Sequence, residues 1–108
     1  MRTGDIVLIS FPFSELTNAK VRPALVITVT RDKYPDLVLC AISSQVPSQI
    51  SSNEFLLTPS ALNRLRVTSV LKIDRIFTLK AEKVVATLGT LSATELVRFR
   101  IIFKSLVD

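Results

Sequence analysis

The sequence contains no histidine and no tryptophan, and it has only one cysteine. Without histidine the chain lacks the usual general base near neutral pH, Ser-His-Asp triads and nearly every kind of protein zinc site. The single Cys40 cannot form an internal disulfide, and its neighbours Val38, Leu39, Ala41 and Ile42 predict a small buried hydrophobe. Any catalysis must therefore use Arg, Lys, Asp, Glu, Ser, Thr or Tyr, and we expect no metal and no cofactor.

Long apolar runs are also absent. The longest, at 37–42, has six residues, against the roughly 18 that a membrane span requires. The N-terminus shows no apolar signal-peptide stretch, so we expect a cytoplasmic protein without a membrane partner. At 108 residues the chain is about one domain long, which predicts a single domain over 1–108. Its mean hydropathy of +0.44 is high for so small a domain and predicts a homo-oligomer interface.

Positive charge is concentrated in one segment of the chain. Lys and Arg number 14 against 9 Asp and Glu, a net charge of +5. Residues 64–83 hold six basic and two acidic residues, which is +4 of that +5. A localised positive field of this kind indicates an anionic partner such as nucleic acid. The alternative is a soluble surface that happens to be basic.

Apolar and β-branched runs indicate a chain built mainly of strands. They predict strands at 6–11, 24–30, 37–42, 54–57, 67–79 and 83–87. Polar loops are predicted at 12–21 and 44–53, and Pro59 favours a brief helix over residues 60–65. Arg75 interrupts the apolar face of the long strand, which predicts a bend or bulge near that point.

The last element is predicted to be an amphipathic helix. Ser92-Ala93-Thr94-Glu95 forms a capping box, and apolar residues then recur at three- and four-residue steps. They are Leu96, Phe99, Phe103 and Leu106, widened by Val97 and Ile102. Short strands, long polar loops and one terminal helix predict a mainly β fold, a small and strongly bent barrel-like sheet capped by that helix.

Several motifs resemble those of one family, the MazF/PemK toxin endoribonucleases of bacterial type II toxin-antitoxin pairs. They are Gly4-Asp5-Ile6-Val7-Leu8, Phe11-Pro12-Phe13, Arg22-Pro23-Ala24-Leu25-Val26, Ala41-Ile42-Ser43-Ser44-Gln45, Lys72-Ile73-Asp74-Arg75 and Gly89-Thr90-Leu91-Ser92. The resemblance implies an SH3-like barrel of the CcdB/PemK type that forms a homodimer. It also implies a protein that binds single-stranded RNA and cleaves it without a metal.

The resemblance also implies a set of catalytic residues. The family's functional arginine falls on Arg22, its hydroxyl residue on Ser43, and its basic residue and aspartate on Lys72 and Asp74. Ser43 stands where threonine is usual in the family, and Lys72 stands where arginine is found in the PemK-like branch. The glycines that are usual in the first loop are replaced by residues 17–20.

Metal-free RNA cleavage requires removal of the 2′-hydroxyl proton, stabilisation of charge on phosphorus and protonation of the departing 5′-oxygen. Asp74 is the candidate base, although a neighbouring cation such as Lys72 makes an aspartate a weaker one. The Arg22 guanidinium suits stabilisation of the transition state, and Ser43 can donate to a phosphate oxygen. The structural alternatives are a surface ion pair of Lys72 with Asp74 and a strand-end cap at Ser43.

The two polar loops are expected to flank the site and to admit unstacked bases, with Phe13 as a stacking platform. A phenylalanine beside proline is otherwise a local packing residue. The remaining candidate RNA contacts are Lys20, Ser44, Gln45, Thr68 and Arg75.

The functional hypothesis is a sequence-selective, metal-independent endoribonuclease toxin, silenced by a small acidic antitoxin. One alternative is a gyrase poison, because CcdB-type proteins share the fold. The set of Arg22, Ser43 and Asp74 disfavours it, since a gyrase poison has no need of them. Another alternative is a catalytically inactive module that binds RNA or the antitoxin.

Overall fold

A computed structural model describes residues 1–10 and 20–108 of the chain. Its elements are β1 (Asp5–Ser10), β2 (Val21–Val29), β3 (Asp36–Ser43), β4 (Glu54–Leu57), β5 (Ser69–Lys80), a 3₁₀ turn (Ala81–Lys83), β6 (Val84–Thr90) and α1 (Ala93–Ser105). The strands form one six-stranded sheet in the order β4-β5-β3-β2-β1-β6, and each pairing is antiparallel. The predicted mainly β fold with a C-terminal helix is confirmed. Within the described residues the edge strands β4 and β6 do not pair, so the bent sheet stays open.

The sheet separates two apolar clusters. On one face Ile6, Leu25, Phe55 and Leu71 pack with Phe99 of α1, and each is at most 1% exposed. On the other face lies a second buried cluster of Val7, Ile9, Ala24, Val26, Leu37 and Leu39. Strands β1, β2 and β3 supply residues to both clusters, which explains why their sequences are almost continuously apolar.

A bulge in β5 bends the sheet next to these clusters. The pairing of β3 with β5 jumps from Cys40–Ile76 to Ala41–Lys72, so residues 73–75 have no counterpart on β3. The Ile73 N–H instead donates to the Asn53 carbonyl oxygen at 3.0 Å. The bulge predicted near Arg75 is therefore confirmed, and it leaves residues 74–76 exposed.

The short helix predicted after Pro59 is wrong, because residues 60–65 contain a turn at 61–63 and no helix. Asn63, which is fully buried, accepts hydrogen bonds on Oδ1 from the N–H groups of Ser60 (3.0 Å) and Leu65 (2.9 Å). An asparagine side chain that satisfies backbone groups in this way competes with the helical hydrogen-bond ladder.

The C-terminal helix begins at the predicted capping box. The Glu95 N–H donates to Ser92 Oγ at 3.1 Å, and the Ser92 N–H donates to Glu95 Oε1 at 2.8 Å. Phe99 is buried, and Leu96, Ile102, Phe103 and Leu106 pack against the first apolar cluster. Val97 is 57% exposed, so its assignment to the apolar face is wrong. No helix in residues 1–10 or 20–108 has the length and apolarity to cross a membrane.

Gly89 on β6 is predicted to tolerate no larger residue. A Cβ at this position would lie 2.2 Å from the Leu62 carbonyl oxygen and 2.8 Å from that of Asn63. The same Leu62 oxygen accepts the Thr90 N–H at 3.0 Å. We expect Gly89→Ala to lower the free energy of unfolding by roughly 3 kcal/mol, through overpacking and loss of that bond. Chemical denaturation measures it, with exposed Thr87→Ala on the same strand as control; equal stability of the two variants would contradict the packing.

We predict that the buried thiol of Cys40 makes the protein less stable at alkaline pH. Burial raises the pKa of its thiol from 9.0 to about 12, so the unfolded chain loses this proton at a lower pH than the folded protein. The contribution of Cys40 is thus fully present below pH 9 and is lost as the pH rises towards 12. Between pH 8 and pH 10 we expect wild type to lose about 1 kcal/mol relative to Cys40→Ala. Parallel urea titrations of the two variants measure the difference, and a pH-independent difference would refute it.

Candidate functional site

The strand register brings three of the predicted catalytic residues to one face of the sheet. Ala24 of β2 pairs with Ala41 of β3, and Ala41 pairs with Lys72 of β5. Extension of the first pairing by two residues sets Arg22 opposite Ser43. Residues that pair directly, and residues two apart on a strand, point to the same face. Arg22, Ser43 and Lys72 therefore converge, and Pro23 keeps the Arg22 backbone extended.

These side chains line a cavity of about 240 Å³, which we call the groove. Its lining consists of Arg22, Ser43, Lys72 and Arg75 together with Pro23, Ala41, Ile42 and Phe77. Among the described residues no carboxylate lines the groove. Among the described residues the ion pair that forms joins Lys80 to Asp36 at 3.2 Å, outside the groove. Arg22, Lys72 and Arg75 therefore have no ion-pair partner in this part of the chain. Converging, uncompensated cations beside a hydroxyl form a site for an anion.

Ser43 ends β3 and has a structural partner. Its Oγ accepts the Gln45 N–H at 3.1 Å, so the strand-end cap is present. A serine hydroxyl has one donor and two acceptor positions. The cap therefore leaves the Ser43 proton available for a ligand in the groove.

Asp74 lies outside the lining of the groove. It is exposed within the bulged part of β5, and its Oδ2 is 3.5 Å from Asn53 Nδ2. No ion pair with Lys72 forms in the described residues, so the predicted surface pair of these two side chains is not observed. The bulge brings Arg75 to the groove instead. Arg75 was predicted as an RNA contact, and its place beside Arg22 and Lys72 is consistent with that role.

A larger cavity of about 600 Å³ lies beside the groove, and we call it the pocket. Lys20, Arg22, Arg64 and Arg66 supply its positive charge, and Ser44 and Ser69 also line it. Arg22, Pro23 and Ile42 line both cavities, so the two are neighbours around β2. The pocket contains two of the predicted RNA contacts, Lys20 and Ser44.

Two other predicted RNA contacts lie outside both cavities. Gln45 and Thr68 are exposed and line neither cavity, and Phe13 lies outside the described residues. Arg64 and Arg66 were not singled out as site residues by sequence reasoning. The signal that could have identified them was the basic segment 64–83. In the structure the cations of this segment lie at different sites. Arg64 and Arg66 line the pocket, Lys72 and Arg75 line the groove, and Lys80 pairs with Asp36.

Metal ligands do not cluster in the described ranges 1–10 and 20–108. No group of three or more His, Cys, Asp or Glu side chains there could hold an ion. The polar groups of the groove are thus its three cations and the Ser43 hydroxyl.

The fold and the two cavities define a small antiparallel β protein with a basic groove and a basic pocket on neighbouring parts of its sheet. The family model for the PemK-like, MazF-like toxin of type II toxin-antitoxin systems matches residues 2–105. The chain therefore belongs to this toxin family, as its motifs predicted.

Solved structures with the same fold come from the same group of proteins. An endoribonuclease in complex with its cognate antitoxin, from a mycobacterial species, has a TM-score of 0.74 at 13% identity, with 99% of this chain and 94% of that chain covered. The Mycobacterium tuberculosis toxin MazF-mt6 has a TM-score of 0.73 at 20% identity, with 96% of each chain covered. MazF from Deinococcus radiodurans has a TM-score of 0.69 at 21% identity, with 99% and 96% covered. No curated protein sequence matches the chain significantly.

Proposed function

We propose that this member of the MazF-like toxin family is a metal-independent endoribonuclease that cleaves single-stranded RNA at selected sequences. The observation that carries the proposal is the convergence of Arg22, Ser43 and Lys72 in the groove, whose described lining includes no carboxylate. Such a groove suits a phosphodiester, and an endoribonuclease is among the proteins with the same fold.

In the proposed reaction the 2′-hydroxyl oxygen attacks the adjacent phosphorus. The O2′–P bond forms, the P–O5′ bond breaks, and the products are a 2′,3′-cyclic phosphate and a 5′-hydroxyl end. The Arg22 guanidinium and the Ser43 hydroxyl donate to the phosphate oxygens as charge develops on them. Lys72 adds positive charge in the groove and is the ammonium that we assign to protonate the departing 5′-oxygen.

Two carboxylates near Lys72 are candidates for the general base. Glu54 pairs with Lys72 across the β4–β5 ladder, but its Oε1 already accepts the Ser51 N–H at 3.0 Å. Asp74 lies two residues from Lys72, and within the described residues its carboxylate accepts one long hydrogen bond, from Asn53 Nδ2 at 3.5 Å. We therefore assign removal of the 2′-hydroxyl proton to Asp74.

The proposed partners follow from charge and exposure. The uncompensated cations of the groove suit an acidic antitoxin segment as well as RNA, because both are polyanionic. A mycobacterial endoribonuclease of the same fold was solved with its cognate antitoxin. A homodimer is proposed from the exposed apolar side chains of Val85, Val97 and Ile101, which are 58%, 57% and 65% exposed. The cytoplasm is the proposed location, since the RNA substrate is there.

The first test is cleavage of a long single-stranded RNA by the purified protein in EDTA. We expect fragments with 2′,3′-cyclic phosphate ends. Arg22→Ala should lower the rate about 10²- to 10³-fold, the effect of removing a donor to a developing oxyanion. Asp74→Asn should lower it at least about 10²-fold, and Glu54→Gln should change it little.

Intact RNA, or cleavage that requires added metal, would contradict the proposal. Inhibition of DNA supercoiling without RNA cleavage would favour the gyrase poison instead. If Glu54→Gln is the slow variant and Asp74→Asn is not, the base assignment is reversed while the endoribonuclease stands.

The proposed homodimer is tested by light scattering on the purified protein. We expect a mass near twice the 12.0 kDa of one chain. Replacement of exposed Ile101 by aspartate should shift the mass towards the monomer, because a buried unpaired charge opposes association. Replacement of exposed Tyr34 by aspartate, at the loop between β2 and β3, is the control. A wild-type monomer at all concentrations tested would refute the dimer.

A further inference from the structure

Arg64 has an unusual backbone conformation. Its φ is +55°, and no other non-glycine residue among those described has a positive φ. This left-handed region is unfavourable for a residue with a Cβ, and glycine occupies it more readily. A strained arginine at a turn therefore raises the question of what its side chain does.

The surrounding turn is built to hold this conformation. The Arg64 N–H donates to the Ser60 carbonyl oxygen at 2.9 Å. Asn63, fully buried, accepts the N–H groups on either side of the turn and donates through Nδ2 to the Thr58 carbonyl oxygen at 2.8 Å. The Leu62 oxygen accepts the Thr90 N–H at 3.0 Å, which fastens the turn to β6. These hydrogen bonds hold the reversal at Arg64 in place.

The consequence of the turn is the placement of two guanidinium groups. Leu65 is 8% exposed and anchors the segment in the core, while Arg64 and Arg66 on either side are exposed and line the pocket. In the part of the chain that the structure describes, neither side chain has a hydrogen-bond or ion-pair partner. The strained position thus carries a guanidinium group that forms no hydrogen bond or ion pair within this part of the molecule.

The pocket combines that charge with an apolar surface. Its lining includes Leu8, Val21, Ile42, Leu65, Val67 and Leu88, and no carboxylate among the described residues. Charge alone suits any polyanion. An apolar wall flanked by planar guanidinium groups suits an unstacked nucleobase and the phosphate attached to it, since arginine both stacks on bases and grips phosphate.

The position of the pocket points to a particular nucleotide. Arg22 lines both the pocket and the groove, so a strand whose phosphate lies at Arg22 in the groove has a direct route to the pocket. At about 600 Å³ against about 240 Å³, the pocket has more room for a base than the groove. An acidic peptide also carries negative charge, but its binding does not require a route from the groove into the pocket.

We infer that the turn at residues 60–66 carries an arginine clamp, formed by Arg64 and Arg66, for the RNA nucleotide next to the cleaved phosphate. The pocket contacts the base of that nucleotide and so contributes to the choice of cleavage sequence. This inference rests on the proposed function, because it takes single-stranded RNA as the ligand.

The Arg64→Gly variant removes the guanidinium of the clamp and leaves the fold undisturbed. Glycine accepts the φ of +55° without strain, so the variant should melt no lower than wild type while it lacks the guanidinium. We expect about tenfold weaker binding of a random-sequence, 2′-O-methylated single-stranded RNA, which cannot be cleaved through its 2′-oxygen. The slope of log affinity against log salt should fall by about 0.7, the value for one phosphate contact on a single strand.

Arg66→Ala should behave in the same way, and Lys83→Ala is the matched control. Lys83 is an exposed cation of the same basic segment that lines neither cavity, and its loss should change affinity less than twofold. Sequencing of cut transcripts should show that Arg64→Gly relaxes the base preference at one position beside the cleavage site. The control should keep the preference of wild type.

The outcomes separate this inference from the proposed function. If wild type cleaves RNA but Arg64→Gly binds and cuts as Lys83→Ala does, the clamp is refuted and the endoribonuclease stands. If wild type cleaves no RNA, the proposed function fails, whereas the binding comparison still decides whether the pocket holds a single strand. Unchanged RNA binding with weaker binding of an acidic antitoxin peptide would make the pocket a peptide site and overturn the inference.

Discussion

The register of β3 against its two neighbours is the constraint on which the structure depends. β3 lies between β2 and β5, and its residues enter both apolar clusters, Leu39 on one face and Cys40 on the other. A slip of one residue would exchange the faces and expose both sets of side chains. The same register aligns Ala24, Ala41 and Lys72 across three strands. The packing that stabilises the fold therefore also determines where the basic side chains meet.

Two irregular segments complete the arrangement that the regular sheet begins. The bulge at residues 73–75 brings Arg75 to the groove and leaves Asp74 outside its lining. The turn around Asn63 exposes Arg64 and Arg66 beside the pocket. Like charges gathered in this way repel one another and oppose folding. Within the described residues Lys80 is the cation of the basic segment that pairs with an acid. An anionic ligand would compensate the repulsion among the others.

Sequence patterns succeeded where short-range physics decides the structure. The range of β4, the capping box at Ser92 and the bulge near Arg75 all follow from residues within a few positions of one another. The helix expected after Pro59 failed because the buried Asn63 side chain took over the backbone hydrogen bonds. The assignment of Val97 to the apolar face of the helix failed for another reason. Periodicity identifies an apolar stripe on a helix but not its edges, which depend on what the helix packs against. Arg64 and Arg66 were visible only as part of a basic segment.

The sequence by itself determined the chemical inventory: no histidine, one cysteine, a surplus of basic side chains and an arginine held by a following proline. It also determined the β-rich character and the helix start, because these depend on local sterics and hydrogen bonding. Only the tertiary structure decided which cations share a cavity, that Lys80 is neutralised by Asp36, and that Asp74 stands apart from the groove. The physical reason is that such neighbours come from strands far apart in the chain, and their meeting depends on the packing of the whole sheet.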